Sequence, residues 1–96
     1  MLAGAQHLGR HRTEPRYTMF DLGPYPGVIE GGRTGIVGDV MAVSTRLLAT
    51  LDRFEEHPHE YVRTLIATPF GRAWIYLYRR QPPDATVVRT GDWCKR

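Results

Sequence analysis

Glu55, which follows an aromatic residue at the predicted end of a helix, is the side chain best placed for acid–base chemistry. It comes directly after Phe54, and Leu51 lies one helical turn earlier. The last carbonyl groups of a helix carry partial negative charge, and apolar neighbours exclude water, so both effects raise the pKa of a carboxyl group. A general base that works near neutral pH needs such a raised pKa. The plainer interpretation is a solvated acidic helix end that pairs with a neighbouring arginine.

Other residues that could do chemistry have weaker support from their spacing. His57 and His59 could bind a metal ion together, but no third ligand is evident, so we expect a loop with two exposed histidines and no metal. The glycine-rich segment 31–38 precedes a predicted strand and not a helix, so it lacks the helix N-terminus of a phosphate-binding loop. Ser44 is the only serine, and Cys94 is the only cysteine and has no evident activating partner.

A short amphipathic helix is predicted immediately before Glu55. Ser44 or Thr45 can cap its N-terminus, because a hydroxyl oxygen there accepts an otherwise free backbone N–H. The apolar residues that follow recur at spacings that share one face of a helix: Leu47, Leu48, Leu51 and Phe54. The pattern predicts a helix of about ten residues, since the strand-like alternation resumes soon afterwards.

The segment after the helix predicts a β-hairpin. Its arms are residues 60–68 and 72–80, joined by the three-residue turn Pro69-Phe70-Gly71. In the second arm, aromatic residues 74, 76 and 78 alternate with apolar residues 73, 75 and 77. Both faces are therefore apolar, which is typical of a barrel wall covered on its outer side.

Further strands are predicted on both sides of the helix. Residues 17–22 form a strand closed by a turn at 23–27, whose prolines favour an edge or a loop. Residues 28–29 pair briefly, residues 36–43 form a β-rich run, and a last short strand follows Pro82-Pro83 at 86–89. The predicted order is mostly β with one central helix, which is an α+β fold.

Composition sets limits on the kind of protein. The chain has 96 residues and a formal net charge of +3, with a pI near 9.4, and we expect one domain over residues 1–96. No apolar run approaches the ~18 residues of a membrane span, no signal-peptide pattern begins the chain, and the single cysteine favours a reducing cytoplasm. The scattered arginines lack a recognition helix or zinc spacing, so we expect no nucleic-acid partner.

Several short motifs together resemble the gamma-glutamylcyclotransferase-like family, in the same order along nearly the whole chain. The similarity is greatest to its small bacterial members and to the gamma-glutamylamine cyclotransferases. None of the motifs is specific alone. They are residues 21–27, 38–40, 51–55, 61–63, 73–78 and 91–93.

This resemblance implies a small mixed, mainly antiparallel β-barrel with one helix and a pocket for a gamma-glutamyl group. Family members close that group into 5-oxoproline and release an amine or amino acid, without a cofactor or metal. At the matching position, Glu55 would be the catalytic acid and base. The residues that would line the substrate pocket or its mouth are Tyr61, Tyr78, Tyr25, Pro26 and Gly27.

One family feature is not found in this sequence. The family begins with a strand that leads into a Tyr-Gly-Ser/Thr-Leu loop, and this chain contains no Tyr-Gly pair. We therefore expect an N-terminally truncated domain that lacks the first strand and leaves open strand edges. The alternative to an enzyme is a non-catalytic remnant of the fold, which binds a small ligand or a partner, or self-associates through an open edge.

Overall fold

The computed structural model describes residues 5–80 and 85–96, so the predicted break at Pro82-Pro83 lies outside the described residues. The described part of the chain contains seven strands, one α-helix and a short 3₁₀ turn at Trp93–Lys95. In chain order the elements are β1 (Ala5–Arg12), β2 (Tyr17–Asp21), β3 (Pro26–Glu30), β4 (Val37–Val43), α1 (Thr45–Phe54), β5 (Tyr61–Thr68), β6 (Gly71–Tyr78) and β7 (Thr86–Val87).

The strands form three antiparallel sheets. They are the pair β1–β4, the three-stranded sheet β3–β2–β7 and the hairpin β5–β6. The mixed α+β architecture predicted from the sequence is confirmed. The three sheets share no strand within residues 5–80 and 85–96, so the predicted β-barrel is not confirmed.

Strand β1 was not predicted, and its residues explain why. Most of its side chains are polar or exposed, so it lacks the alternating pattern of a half-buried strand. It pairs with β4, about thirty positions away, and a bulge interrupts the register between His7 and Gly9. A Cβ atom at Gly9 would lie 2.5 Å from the ring of Phe70, so the glycine lets this ring approach the strand.

The hydrophobic core lies between the three-stranded β3–β2–β7 sheet, the central sheet, and the β5–β6 hairpin. Its buried members are Tyr17, Met19, Val28, Ile36, Leu77 and Val88. Strand β3 packs beside β6 and is the edge of its own sheet, where the proline at its first position is tolerated; the strand takes in Pro26 and Gly27, which were predicted to be part of the turn. The predicted final strand is confirmed over Thr86–Val87, which pair with β2.

Helix α1 begins and ends where the sequence predicted. Ser44 is its N-cap, and the Ser44 hydroxyl accepts a hydrogen bond from the Leu47 N–H at 3.1 Å. The predicted apolar face is only partly correct, because Leu51 is half-buried whereas Phe54 is 81% exposed. No residue of α1 is buried. Within the described residues, no helix has the length and apolar character needed to cross a membrane.

The β5–β6 hairpin is confirmed, but its turn is shorter than predicted. Thr68 pairs directly with Gly71, so the connection is the two residues Pro69-Phe70 and Gly71 belongs to β6. Gly71 adopts φ +102°, a conformation that favours glycine. The one-residue change moves every cross-strand partner by one position, which changes the side chains that face each other.

Candidate functional site

Glu55 is the C-cap of α1, with φ −84° and ψ 1°. Its backbone N–H donates to the Leu51 carbonyl at 2.8 Å, and its side chain is half-buried. This burial raises the pKa of the Glu55 carboxyl above its ordinary value of 4.5. The predicted contribution of Phe54 to this burial is wrong, because Phe54 is exposed, whereas Leu51 is half-buried. Among the described residues, Glu55 has no ion-pair partner.

Tyr61 and Tyr78 face each other across the hairpin. They are direct cross-strand partners, with ring centroids 5.2 Å apart and an interplanar angle of 52°. Burial, followed by the negative charge of Glu55, raises the pKa of Tyr61 to about 12. Burial also raises the pKa of Tyr78. Both phenols therefore keep their protons at neutral pH and can donate hydrogen bonds, and Glu55 is close enough to Tyr61 to affect it.

The Tyr25-Pro26-Gly27 segment lies beside the same tyrosine pair. The Tyr61 hydroxyl lies 3.5 Å from the Pro26 carbonyl oxygen, a long contact. A Cβ atom at Gly27 would lie 2.7 Å from Cδ1 of Leu22, so the glycine makes room for that side chain, and it would lie at an ordinary contact distance of 3.4 Å from Cδ2 of Tyr78. Tyr25 is 54% exposed.

The residues predicted for the site thus come together from separate elements. Glu55 is supplied by the end of α1, Tyr61 by β5 and Tyr78 by β6, and segment 25–27 by the start of β3. This arrangement places the half-buried Glu55 carboxyl close to the buried Tyr61, which in turn pairs with the half-buried Tyr78. A carboxyl group with a raised pKa accepts a proton more readily than an ordinary carboxylate, and hydroxyl donors can orient a polar substrate.

A polar cluster next to this group was missed by the sequence prediction. Asp52 Oδ1 accepts hydrogen bonds from the Tyr76 hydroxyl at 2.6 Å and from Arg63 Nε at 2.9 Å. The side chains of Asp52 and Arg63 are only 20% and 22% exposed. The Tyr76 hydrogen bond lowers the pKa of Asp52, burial opposes this, and Arg63 lowers it further. The Arg63 guanidinium lies 4.1 Å from the centroid of the Trp74 ring.

The sequence contained a signal for this cluster, but the predicted turn length concealed it. With a three-residue turn, Arg63 would face Leu77, whereas the observed register places it opposite Tyr76. A basic residue opposite a tyrosine, with an aspartate on the preceding helix, indicates a possible polar cluster. Sequence alone could not supply the position of the helix over the hairpin.

A cavity of about 560 Å³ lies between α1, the β1–β4 sheet and the β5–β6 hairpin. Its lining includes Leu48, Leu51, Trp74 and Tyr76, but not Glu55, Tyr61 or Tyr78. The predicted acid–base group therefore lies outside this cavity. Within residues 5–80 and 85–96, no group of three His, Cys, Asp or Glu side chains could hold a metal ion.

Comparisons with known proteins agree with the resemblance seen in the sequence. The family described as "Gamma-glutamyl cyclotransferase, AIG2-like" matches residues 1–95. A Vibrio cholerae protein named "Putative gamma-glutamylcyclotransferase" is 44% identical over 99% of this chain and 82% of its own length. The Escherichia coli gamma-glutamylcyclotransferase family protein YtfP is 37% identical over the same shares of each chain.

The fold of a solved relative also agrees. The solution NMR structure of Escherichia coli ytfP has a TM-score of 0.81 at 36% identity, covering 95% of this chain and 79% of that one. The family match extends over almost the whole sequence, and the relatives with 37% or more identity carry the same family name. The chain therefore belongs to the gamma-glutamyl cyclotransferase, AIG2-like family.

Proposed function

We propose that this protein cyclises a gamma-glutamyl group to 5-oxoproline and releases an amine or amino acid. The observation that carries the proposal is the position of Glu55, a half-buried carboxyl with a raised pKa next to Tyr61. Family membership supports the same chemistry. The compartment that we propose is a reducing cytoplasm, in which Cys94 remains a thiol.

The reaction balances without an added reactant. The α-amine nitrogen of the substrate attacks its own γ-carbonyl carbon, which forms the lactam C–N bond, and the original amide C–N bond breaks. Glu55 takes a proton from the attacking nitrogen and delivers one to the leaving amine. Because nucleophile and electrophile belong to one molecule, holding the substrate in a ring-like pose supplies much of the rate enhancement.

The tyrosines and segment 25–27 would bind the substrate in this proposal. Tyr61 and Tyr78 carry protonated hydroxyls, which can donate hydrogen bonds to the glutamyl carboxylate or carbonyl oxygen. The exposed Tyr25 ring would contact the leaving group at the mouth of the site. Gly27 would lie at the same mouth, where it presents no side chain to the substrate.

The direct test is to incubate the protein with gamma-glutamyl amines and gamma-glutamyl dipeptides and to measure 5-oxoproline by chromatography. We expect product with the wild type and a loss of at least about a hundredfold with Glu55→Gln. The matched control is Glu56→Gln, which changes the exposed neighbouring glutamate and leaves turnover unchanged. Full turnover by a folded Glu55→Gln variant would remove Glu55 from this role.

A second candidate is binding without chemistry. The observation that favours it is the 560 Å³ cavity, which lies apart from Glu55. In this case the protein binds a small carboxylate ligand, or pairs an open strand edge with a partner or a second copy. Calorimetry with glutamate and glutathione, and the mass in solution at several concentrations, would then show binding or association that Glu55→Gln leaves intact.

A further inference from the structure

We propose that Asp52 is a positioning residue, which fixes helix α1 on the β5–β6 hairpin so that Glu55 lies beside the Tyr61–Tyr78 pair. Asp52 would act through Glu55 and would not touch the substrate. The kinetic consequence rests on the function proposed above, whereas the geometric consequence does not.

The hairpin presents two adjacent side-chain pairs on one face. Tyr61 faces Tyr78, and Arg63 faces Tyr76 two residues further along each strand. Because side chains alternate between the faces of a strand, these two pairs lie on the same face, about 6.6–6.8 Å apart. The face therefore offers a polar anchor, Arg63–Tyr76, immediately next to the tyrosine pair of the candidate site.

The helix presents two carboxylates with a matching spacing. Asp52 and Glu55 are three residues apart, so they lie on the same side of the helix about 4.5 Å apart along its axis. Asp52 binds both members of the anchor, Tyr76 at 2.6 Å and Arg63 at 2.9 Å. When Asp52 is bound to Arg63 and Tyr76, Glu55 lies further along the helix axis, in the direction of Tyr61 and Tyr78.

Apolar packing alone does not hold the helix in this position. None of its residues is buried, and Phe54, at the end nearest the site, is exposed. Asp52 instead makes charge-assisted hydrogen bonds to β5 and β6. These bonds fix the orientation of α1 on the hairpin as well as its distance from it. The Trp74 ring lies beneath the Arg63 guanidinium and holds it in place.

Hydrogen bonds also attach the loop that follows Glu55 to Asp52 and to the hairpin. The Asp52 backbone carbonyl accepts a hydrogen bond from the His57 N–H at 2.8 Å. The His57 ring nitrogen Nδ1 lies 3.4 Å from the Arg63 backbone N–H, and Arg79 Nη1 donates to the Pro58 carbonyl at 2.6 Å. Glu55 therefore lies between two attachments to the hairpin, one at Asp52 and one at Pro58.

The test uses Tyr76→Phe, which removes one hydroxyl and keeps the ring, and Asp52→Asn, which keeps the shape and removes the charge. The first readout is the pKa of the Glu55 carboxyl, measured by NMR titration of carboxyl-labelled glutamate in the whole protein. We expect this pKa to fall towards 4.5, its ordinary value, in both variants. The second readout is turnover, for which we expect kcat to fall by about 10- to 100-fold with KM little changed.

The control variant is Glu14→Gln, because Glu14 is an exposed carboxylate that pairs with Arg16 before β2, away from the cavity and the candidate site. It should leave both readouts unchanged. An unchanged Glu55 pKa in Tyr76→Phe, or an unchanged kcat in an active protein, overturns the inference. If the wild type makes no 5-oxoproline, the proposed function fails, and the NMR titration alone decides whether Asp52 positions Glu55. If Asp52→Asn does not fold, Tyr76→Phe decides.

Discussion

Glu55 is a carboxyl group whose environment favours its neutral form. Its pKa in the folded protein is raised by burial, so the folded state binds the proton more tightly than the unfolded chain does. The stability that results is fully present below the unfolded pKa of about 4.5 and is lost as pH rises through the folded pKa. Ionised Glu55 therefore weakens the fold at the pH where it would act as a base.

The raised pKa of Glu55 makes the effect of neutralising this residue depend on pH. Relative to the wild type, Glu55→Gln should be more stable near pH 7 than near pH 4, because glutamine has no charge to bury. Urea unfolding at the two pH values measures the difference, with Glu56→Gln as the control whose difference stays flat. A Glu55→Gln difference that is the same at both pH values would show that the carboxyl is not desolvated.

The pKa of Asp52 is shifted in the opposite direction from that of Glu55. Hydrogen bonds from Tyr76 and Arg63 hold its pKa below the ordinary value of 3.8, so its stabilising effect is present above that pH and is lost as pH falls through the folded pKa. Tyr76→Phe removes a hydrogen bond to a charged group, so we expect unfolding to cost about 1.5–3 kcal/mol less near pH 7. The deficit should shrink near pH 2, and a constant deficit would assign the loss to packing.

At the residue scale, the sequence identified the catalytic candidate but only part of its environment. Glu55 was recognised from its place at a helix end, yet the exposed Phe54 shows that adjacency in sequence does not establish burial. Asp52, Arg63 and Tyr76 were missed because they belong to three elements, and only the packing of helix on hairpin brings them together.

At the scale of elements, local signals predicted well and long-range pairing did not. The helix was recognised from its cap and its apolar spacing, both of which act within a few residues. Strand β1 was missed because its partner, β4, lies far away in sequence and its own side chains are mostly polar. The hairpin turn was one residue too long in the prediction, and that single error placed Arg63 opposite the wrong residue.

The helix cap gives a prediction at this scale. Since no residue of α1 is buried, the helix depends strongly on its cap and on the Asp52 anchor. Ser44→Ala removes the acceptor for the Leu47 N–H and should lower the free energy of unfolding by about 0.5–2 kcal/mol. Ser44→Asp keeps an acceptor and should stay near the wild type. Equal losses in the two variants, measured by urea unfolding, would argue against capping.

At the scale of the whole molecule, the C-terminal segment joins sheets that share no strand in the described residues. The Gly91 carbonyl accepts a hydrogen bond from the Val37 N–H at 2.8 Å, at the start of β4. Arg12 Nη1 on β1 donates to the carbonyls of Gly35 at 3.1 Å and Thr90 at 3.2 Å. Val88, close by in sequence, is part of the core and donates its N–H to Met19 of the central sheet. The turn at Gly91 therefore connects the β1–β4 sheet to the core.

The contact between the C-terminal turn and residues 35–37 requires a glycine at position 91. Gly91 adopts φ +69°, and a Cβ atom there would collide with the Gly35 carbonyl oxygen. We expect Gly91→Ala to lower the free energy of unfolding by more than about 2 kcal/mol, since strain and collision add. Two other glycines separate the cost of backbone strain from the cost of the collision. Gly31 has φ +99°, and a Cβ atom there would meet open space. Gly31→Ala should therefore lower the free energy of unfolding by about 1–2 kcal/mol from strain alone. Gly38→Ala has neither penalty and should be near neutral. If Gly91→Ala costs no more than Gly31→Ala in urea unfolding, the C-terminal turn is not pressed against Gly35, and the sheets must be held together by the core alone.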